Sequence, residues 1–275
     1  MSGYALITGA SSGLGLALAE ALARRGRNLI LVARQHDALE SIACELSQRF
    51  GIEALLRICD LTEPLQLTGL IQELEQGERH IDLLVNNAGI GSAGLFVDQD
   101  WGQEQDLIEL NMLAVARLCH ALGADMKRRG GGQILNVASV AAFQPGPLMS
   151  NYFASKAYVL HLSEALRCEL APFGVKVSVL FPGPVATAFF RRAGLYSGGL
   201  ERHQQLASPA QVALAAMCGL EKNRAIIIPG WRNRLLPQLL RLTPRALVRR
   251  IAMRMVRPLL PRTPDGEQAQ ARALD

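Results

Sequence analysis

Thr8-Gly9-Ala10-Ser11-Ser12-Gly13-Leu14-Gly15 is the stretch on which the fold of this chain turns. The residues ahead of it, Ala5 to Thr8, read as a strand, and Leu16 to Arg24 behind it reads as a helix. Glycines in between let the backbone turn tightly and come close to a diphosphate. The helix start then offers unpaired N–H groups and the positive end of its dipole. An ordinary strand-to-helix turn can also be glycine-rich. Position favours the nucleotide reading, because strand, glycines and helix follow one another at the very start of a βαβ unit.

Outward from that stretch, short aliphatic runs alternate with longer amphipathic ones to about residue 230, without repeat or linker. Strands are predicted at Ala5 to Thr8, Asn28 to Ala33, Ala54 to Cys59, Leu83 to Asn86, Gln133 to Ala138, Lys176 to Phe181 and Ala225 to Ile228. Runs such as Leu29-Ile30-Leu31-Val32 suit parallel strands covered on both faces, so an α/β, doubly wound sheet is expected. Helix starts are marked by Ser208 before Pro209 and by Asp100 before the run Trp101 to Met112.

With 49% apolar and 19% charged residues over 275 positions, disordered and collagen-like classes are excluded. The uncharged stretch Ser2 to Ala19 is interrupted by Ser, Thr and Gly, and no transmembrane helix is expected. No basic n-region with an apolar block precedes the first strand, so the expected location is cytoplasmic. Five cysteines without C-x-x-C spacing, and histidines without ligand spacing, imply neither a disulfide framework nor a metal. The net charge of +5 is uneven: residues 222–264 hold eleven Lys or Arg and no Asp or Glu, while residues 1–221 are mildly acidic. A body that coats nucleic acid is therefore not indicated.

The glycine spacing is G-x-x-x-G-x-G, and Asn86-Asn87-Ala88-Gly89 and Tyr152-x-x-x-Lys156 follow in order. Over about residues 3 to 230 this combination resembles the short-chain dehydrogenase/reductase family. The resemblance implies a single Rossmann domain with a seven-stranded parallel sheet over residues 1–230, with residues 231–275 left as a basic helical C-terminal extension. It implies a nicotinamide dinucleotide held by Gly9, Ser11, Ser12, Gly13, Leu14 and Gly15, by Asp60 and Leu61, and by Asn87, Ala88 and Gly89. Pro182, Gly183, Val185 and Thr187 match the family segment at the nicotinamide, where Tyr152 and Lys156 also reach the cofactor. Ser139 matches the substrate-orienting serine, and Asn111 the asparagine that interrupts a helix and holds a water towards Lys156.

The chemistry is legible in the residue types. Reducing a carbonyl requires a proton donor on the oxygen that receives negative charge. A Tyr152 phenol is expected to be made more acidic by the Lys156 ammonium four residues on, on the same helix face. Cofactor choice is argued at Leu31 to Gln35, which contains no carboxylate for a ribose 2′-hydroxyl but does contain Arg34, suited to a 2′-phosphate. NADP(H) is favoured over NAD(H), with a merely solvated Arg34 as the bland alternative. Phe189, Phe190, Leu195 and Tyr196, near Gly194, Gly198 and Gly199, read as a lid over an apolar substrate, or as a loop that simply packs.

The expected function is an NADPH-dependent oxidoreductase acting on a carbonyl or secondary alcohol of an apolar small molecule, working as a homo-oligomer. Rival readings are a catalytically silent dinucleotide-binding regulator and a membrane-peripheral reductase of lipid-like substrates. The last arises from residues 243–257, read as a helix capped by Thr243, begun by Pro244 and ended by Pro258. Leu247, Val248, Ile251, Ala252, Met255 and Val256 are placed on one side of it, and Arg245, Arg249, Arg250, Arg254 and Arg257 on the other. Such a helix covers the substrate entrance or rests on an anionic membrane, with packing against its own domain or a partner subunit as the plain alternative and an acidic carrier or phosphate-bearing substrate as a further one.

Overall fold

Apolar runs of the Leu29-to-Val32 kind need cover on both faces, and the sheet they enter has it. A computed structural model describes residues 3–77, 79–195 and 206–260. Its seven strands are β1 (Tyr4–Thr8), β2 (Asn28–Ala33), β3 (Ala54–Ile58), β4 (Ile81–Asn86), β5 (Gly132–Val137), β6 (Val175–Leu180) and β7 (Ile226–Ile227). They form one parallel sheet in the order β3-β2-β1-β4-β5-β6-β7, so the doubly wound expectation holds. The strand order reverses between β1 and β4, which places the topological switch point, and the crevice that goes with it, beside the glycine turn.

Alternate strand residues serve opposite layers. Ala5, Ile7, Leu29, Leu31 and Val85 pack under α1 (Gly13–Ala23), α2 (His36–Phe50) and α8 (Pro209–Glu221). Leu6, Ile30, Val32, Leu84 and Ile134 pack under α3 (Pro64–Gln76), α5 (Val115–Arg129) and α6 (Ser150–Leu170). The predicted caps are present: Asp100 accepts from the Gln103 N–H at 3.0 Å, and Ser208 and Gln211 form a capping box around Pro209.

Two expectations change. The helix begun by Asp100 does not stop near Met112: α4 (Trp101–Ile108) passes through a π-helical turn, Glu109–Ala114, into α5. This continuous helix is long and apolar enough to cross a membrane by composition, yet half of that window is buried inside the fold. Thr243 does not cap the C-terminal helix. A first helix of the expected helical extension, α9 (Trp231–Leu242), ends there, and the Thr243 hydroxyl donates back to the Leu239 carbonyl at 2.8 Å. Helix α10 (Arg245–Val256) starts after Pro244 and inherits no side-chain cap. Beyond Leu260 the extension lies outside the described residues.

Candidate active site

The nucleotide end is built by close approach. Gly9 has φ +66° and Gly13 φ +57°, conformations that disfavour a side chain. A Cβ on Gly15 would overlap the Gly9 carbonyl oxygen, so only glycine lets α1 sit this close to the turn. Asn87 locks the turn from the neighbouring strand, its Nδ2 donating to the carbonyls of Thr8 (3.0 Å) and Gly9 (3.3 Å). The Thr8 hydroxyl in return accepts from the N–H groups of Asn87 and Ala88, both at 3.0 Å. The first amides of α1 have no intrahelical acceptor and face the anion site that the glycines leave open.

Arg34 stands just past the end of β2, 69% exposed at its side chain, and pairs with Asp60 at 3.4 Å. Burial acts to raise the Asp60 carboxyl, but the Thr62 N–H and hydroxyl, with Arg34, outweigh it and hold the group below its ordinary value. Asp60 is thus both a turn cap and the partner of Arg34. The sequence reading had not joined the two residues.

At the chemical end, Ser139 follows β5 and caps the 3-10 turn Val140–Phe143, its Oγ accepting from the Ala141 N–H at 3.2 Å. Its hydroxyl also acts on the Tyr152 phenol, easing its ionisation. Tyr152 lies on the first turn of α6, its ring 5.2 Å from that of Phe189 and 6.0 Å from that of Phe153. One turn on, Lys156 is 5% exposed; its Nζ donates to the Val137 carbonyl at 3.1 Å and stands 5.8 Å from the Tyr152 ring centre.

The expected acidification of Tyr152 is not what this environment produces. Burial pushes the phenol up to about 12, with only partial relief from the Ser139 hydroxyl. Burial likewise pushes Lys156 down to about 8. Spacing had shown the pairing but not the withdrawal of both groups from water, which favours their neutral forms.

Asn111 lies within the π turn and is 1% exposed. Its Oδ1 accepts from the Ile90 N–H (3.0 Å), and its Nδ2 donates to the Ile90 carbonyl (2.9 Å) and the Ser155 hydroxyl (3.1 Å). The helix is interrupted as expected, and the side chain fastens the strand that ends in Asn86 to Gly89. Behind it, Asn86 donates to Asn136 at 2.8 Å and Asn136 to Ser163 at 2.8 Å, tying β4, β5 and α6 together through the core.

One cavity of about 780 Å³ joins both ends. Its walls include Gly9, Ser11, Ser12, Gly13, Leu14 and Gly15, then Arg34, Asp60, Leu61, Asn87, Ala88 and Gly89, and then Ser139, Tyr152, Lys156, Pro182, Gly183, Val185 and Thr187. Of the candidate catalytic and cofactor residues, Asn111 alone stands behind the wall. Phe189 and Phe190 fall on the short helix α7 (Phe189–Arg192) and line the apolar end with Leu195, whereas Tyr196, Gly198 and Gly199 lie outside the described residues. The cavity also takes in Ala252, Met255 and Val256, from the helix expected as one alternative to cover the substrate entrance, and Gln144, Met149, Phe153 and Leu259, which the sequence had not singled out. Phe153 and Met149 flank Tyr152 closely enough to have been suspected, and the amphipathic pattern of α10 had already pointed to the cavity entrance.

Among the described residues no group of three or more potential metal ligands gathers. The buried thiols of Cys59, pushed up to about 11, and Cys119, pushed up to about 12, stay protonated and offer no nucleophile.

Comparison with known proteins agrees with this geometry. Residues 3–195 match the family model described as short chain dehydrogenase, and the chain belongs to that family of oxidoreductases. It is 36% identical over 181 residues to Ketoacyl reductase HetN of Nostoc sp., covering 66% of this chain and 63% of that protein. It is 30% identical over 264 residues to Probable oxidoreductase EphD of Mycobacterium tuberculosis, covering 88% of this chain and 44% of that protein. The alignments thus span less than two thirds of these relatives' lengths. Among solved structures, a short-chain dehydrogenase from Sphingobium yanoikuyae in complex with NADPH has 35% identity and a TM-score of 0.81, with 87% of this chain and 92% of that chain covered. A bulky-bulky ketone specific alcohol dehydrogenase from Comamonas testosteroni has 32% identity and a TM-score of 0.75, with 89% and 96% covered.

Proposed function

We propose that the protein is an NADPH-dependent reductase of an apolar ketone or aldehyde, or of the corresponding secondary alcohol in reverse. The observation that carries this reading is the placement of Ser139, Tyr152 and Lys156 on one wall of a cavity whose far end is the glycine turn and Arg34. The turn, free of side chains at Gly9 and Gly13, and the α1 N-terminus suit the diphosphate, and the absence of a carboxylate from Leu31 to Gln35 beside an exposed Arg34 suits a 2′-phosphate. Asp60 competes for Arg34, but across an exposed pair worth no more than about 1 kcal/mol. The NADPH complex of the Sphingobium relative supports the same choice.

The cofactor, when bound, supplies the hydride. Ser139 orients the carbonyl by hydrogen bonding, and the Tyr152 phenol donates the proton as the oxygen becomes alkoxide-like. Lys156, one helical turn away, holds the proton store that restores the phenol. The aromatic and aliphatic lining from Phe153, Phe189, Phe190 and Leu195 selects an apolar substrate. We place the protein in the cytoplasm, a setting suited to its five free thiols, and as a homo-oligomer, for which exposed Trp101 and Leu113 offer apolar contact area.

Oxidation of NADPH against a panel of apolar ketones, with the Tyr152→Phe variant as control, tests the proposal. Turnover by the wild type and a loss of at least about a hundredfold in Tyr152→Phe, with NADPH still bound, is the expected result. Near-normal turnover by the variant overturns the assignment.

A further inference from the structure

Helix α10 carries two apolar stripes. Val248, Ala252 and Val256 are turned inward, at 6%, 2% and 8% exposure, and Ala252 and Val256 line the substrate end of the cavity. The adjoining stripe, Leu247, Ile251 and Met255, is 47%, 45% and 55% exposed. Helix α9, next before it in the chain, carries a second exposed apolar face: Trp231, Leu235, Leu239 and Leu242 recur at spacings of four, four and three, which puts them on one helical face, and all are more than half exposed. A monomer has no structural use for two adjacent helices that both present bare apolar faces.

Arg250 and Arg254 flank the Leu247/Ile251/Met255 stripe by helical spacing, and Arg241, Arg245 and Arg249 add to the local positive charge; all five are exposed and without an acidic partner among the described residues. The whole stretch 222–264 lacks Asp and Glu. A second copy of the chain is a poor occupant, because a two-fold interface would set this arginine cluster against itself. An anionic bilayer meets both requirements at once. Apolar side chains enter the acyl boundary, a tryptophan sits at the headgroup level, and long arginine side chains reach up to the phosphates. The mildly acidic remainder of the chain is repelled from such a surface, which fixes the orientation.

We propose that α9 and α10 form a docking surface for an anionic lipid membrane, with the mouth of the substrate cavity held at the bilayer. Met255 makes the connection, since it both lines the cavity and is half exposed beside the outer stripe. Resting on the reductase reading above, this narrows the substrate to a ketone or secondary alcohol that partitions into lipid and enters under α10 without crossing water.

The test uses the full chain with phosphatidylcholine vesicles, with and without about 30% phosphatidylglycerol. Sedimentation with the anionic vesicles, little with the neutral ones, and at least tenfold weakening between about 50 and about 500 mM salt are expected. Leu239→Glu with Ile251→Glu, neither of which lines the cavity, should abolish sedimentation and leave turnover of a water-soluble ketone unchanged. Arg250→Glu with Arg254→Glu should weaken binding by roughly fivefold or more per arginine removed. The proposal is overturned if the wild type ignores anionic vesicles, if both variants bind as the wild type does, or if the Leu239/Ile251 variant turns a dimer into a monomer in sedimentation equilibrium, which would make the surface a self-interface. Vesicle binding is read without cofactor, and soluble-ketone turnover without vesicles, so failure of the docking proposal and failure of the reductase reading are told apart.

Discussion

Replacing Lys156 by Met should destroy turnover and stabilise the fold. Lys156 is 5% exposed, and burial lowers it from 10.5 to about 8. At neutral pH the folded protein must therefore carry an ammonium in a site that prefers the neutral amine. The gap of about 2.5 pH units, at about 1.4 kcal/mol each, makes a penalty of about 3 kcal/mol. Methionine has similar length and no charge. It forfeits the 3.1 Å hydrogen bond to the Val137 carbonyl, about 1 kcal/mol, which leaves a net gain of about 2 kcal/mol. For a chain of this size that raises Tm by roughly 5 °C. Because the folded pKa lies below the unfolded one, the folded state binds fewer protons between about pH 8 and 10.5. The penalty is complete below about pH 8 and fades as pH rises to 10.5, so the wild type should gain on the variant across that window. Urea denaturation of the cofactor-free proteins at pH 7, 9 and 10.5 reads this directly. A variant less stable than wild type at pH 7, or an advantage that does not shrink by pH 10.5, refutes the reasoning.

Arg34→Ala should weaken NADPH by roughly 1.5 to 3 kcal/mol, the scale of hydrogen bonds to a charged group, and leave NADH affinity nearly unchanged. Fluorescence titration with both cofactors distinguishes this from general damage, which would lower the two equally. Gly15→Ala forces a methyl onto the Gly9 carbonyl and should cost at least about 2 kcal/mol of stability, with NADPH binding lost even in the fraction that folds. Thermal denaturation and equilibrium dialysis check it, and a variant with normal Tm and affinity would show that α1 can move away from the turn.

Where the sequence was readable, the physical determinant was local. Leu29 to Val32 announces a buried parallel strand because four consecutive apolar side chains leave neither face for water. Gly9, Gly13 and Gly15 announce a turn because two have positive φ and the third has no room for a Cβ. Tyr152 and Lys156 share a helix face by spacing alone. What stayed hidden depends on residues that meet only in the folded chain. The Thr8 hydroxyl becomes a clamp because Asn87 and Ala88 arrive beside it, and Asn111 gains its role from both backbone groups of Ile90. Arg34 and Asp60 each read as separate cofactor contacts and turn out to pair with one another. Within the helical extension the bounds of α9 were not read, because Pro237 lies inside it and removes a backbone donor, which reads as a break. That omission made Thr243 look like the start of a helix when it closes the one before.

For the proposed reaction, the surroundings of Tyr152 and Lys156 carry something that neither motif nor spacing does, namely in which direction the site is set. Burial holds Tyr152 as a phenol, up to about 12, and pulls Lys156 towards the amine, down to about 8, so the pocket tolerates little charge of either sign. A protonated tyrosine is the state that can give a proton to a carbonyl oxygen as it accepts a hydride. Reduction therefore starts from the resting form of the site. Alcohol oxidation must first make a phenolate in surroundings that disfavour it, and the lower the pH, the greater that cost. A cation at Lys156 stabilises that phenolate when it forms, which is why a residue that costs the fold about 3 kcal/mol is kept one helical turn from the tyrosine. In the proposed mechanism the apolar side chains that α10 adds to the cavity wall serve the same end, since excluding water would strengthen the hydrogen bonds that Ser139 and Tyr152 are proposed to make to the substrate oxygen.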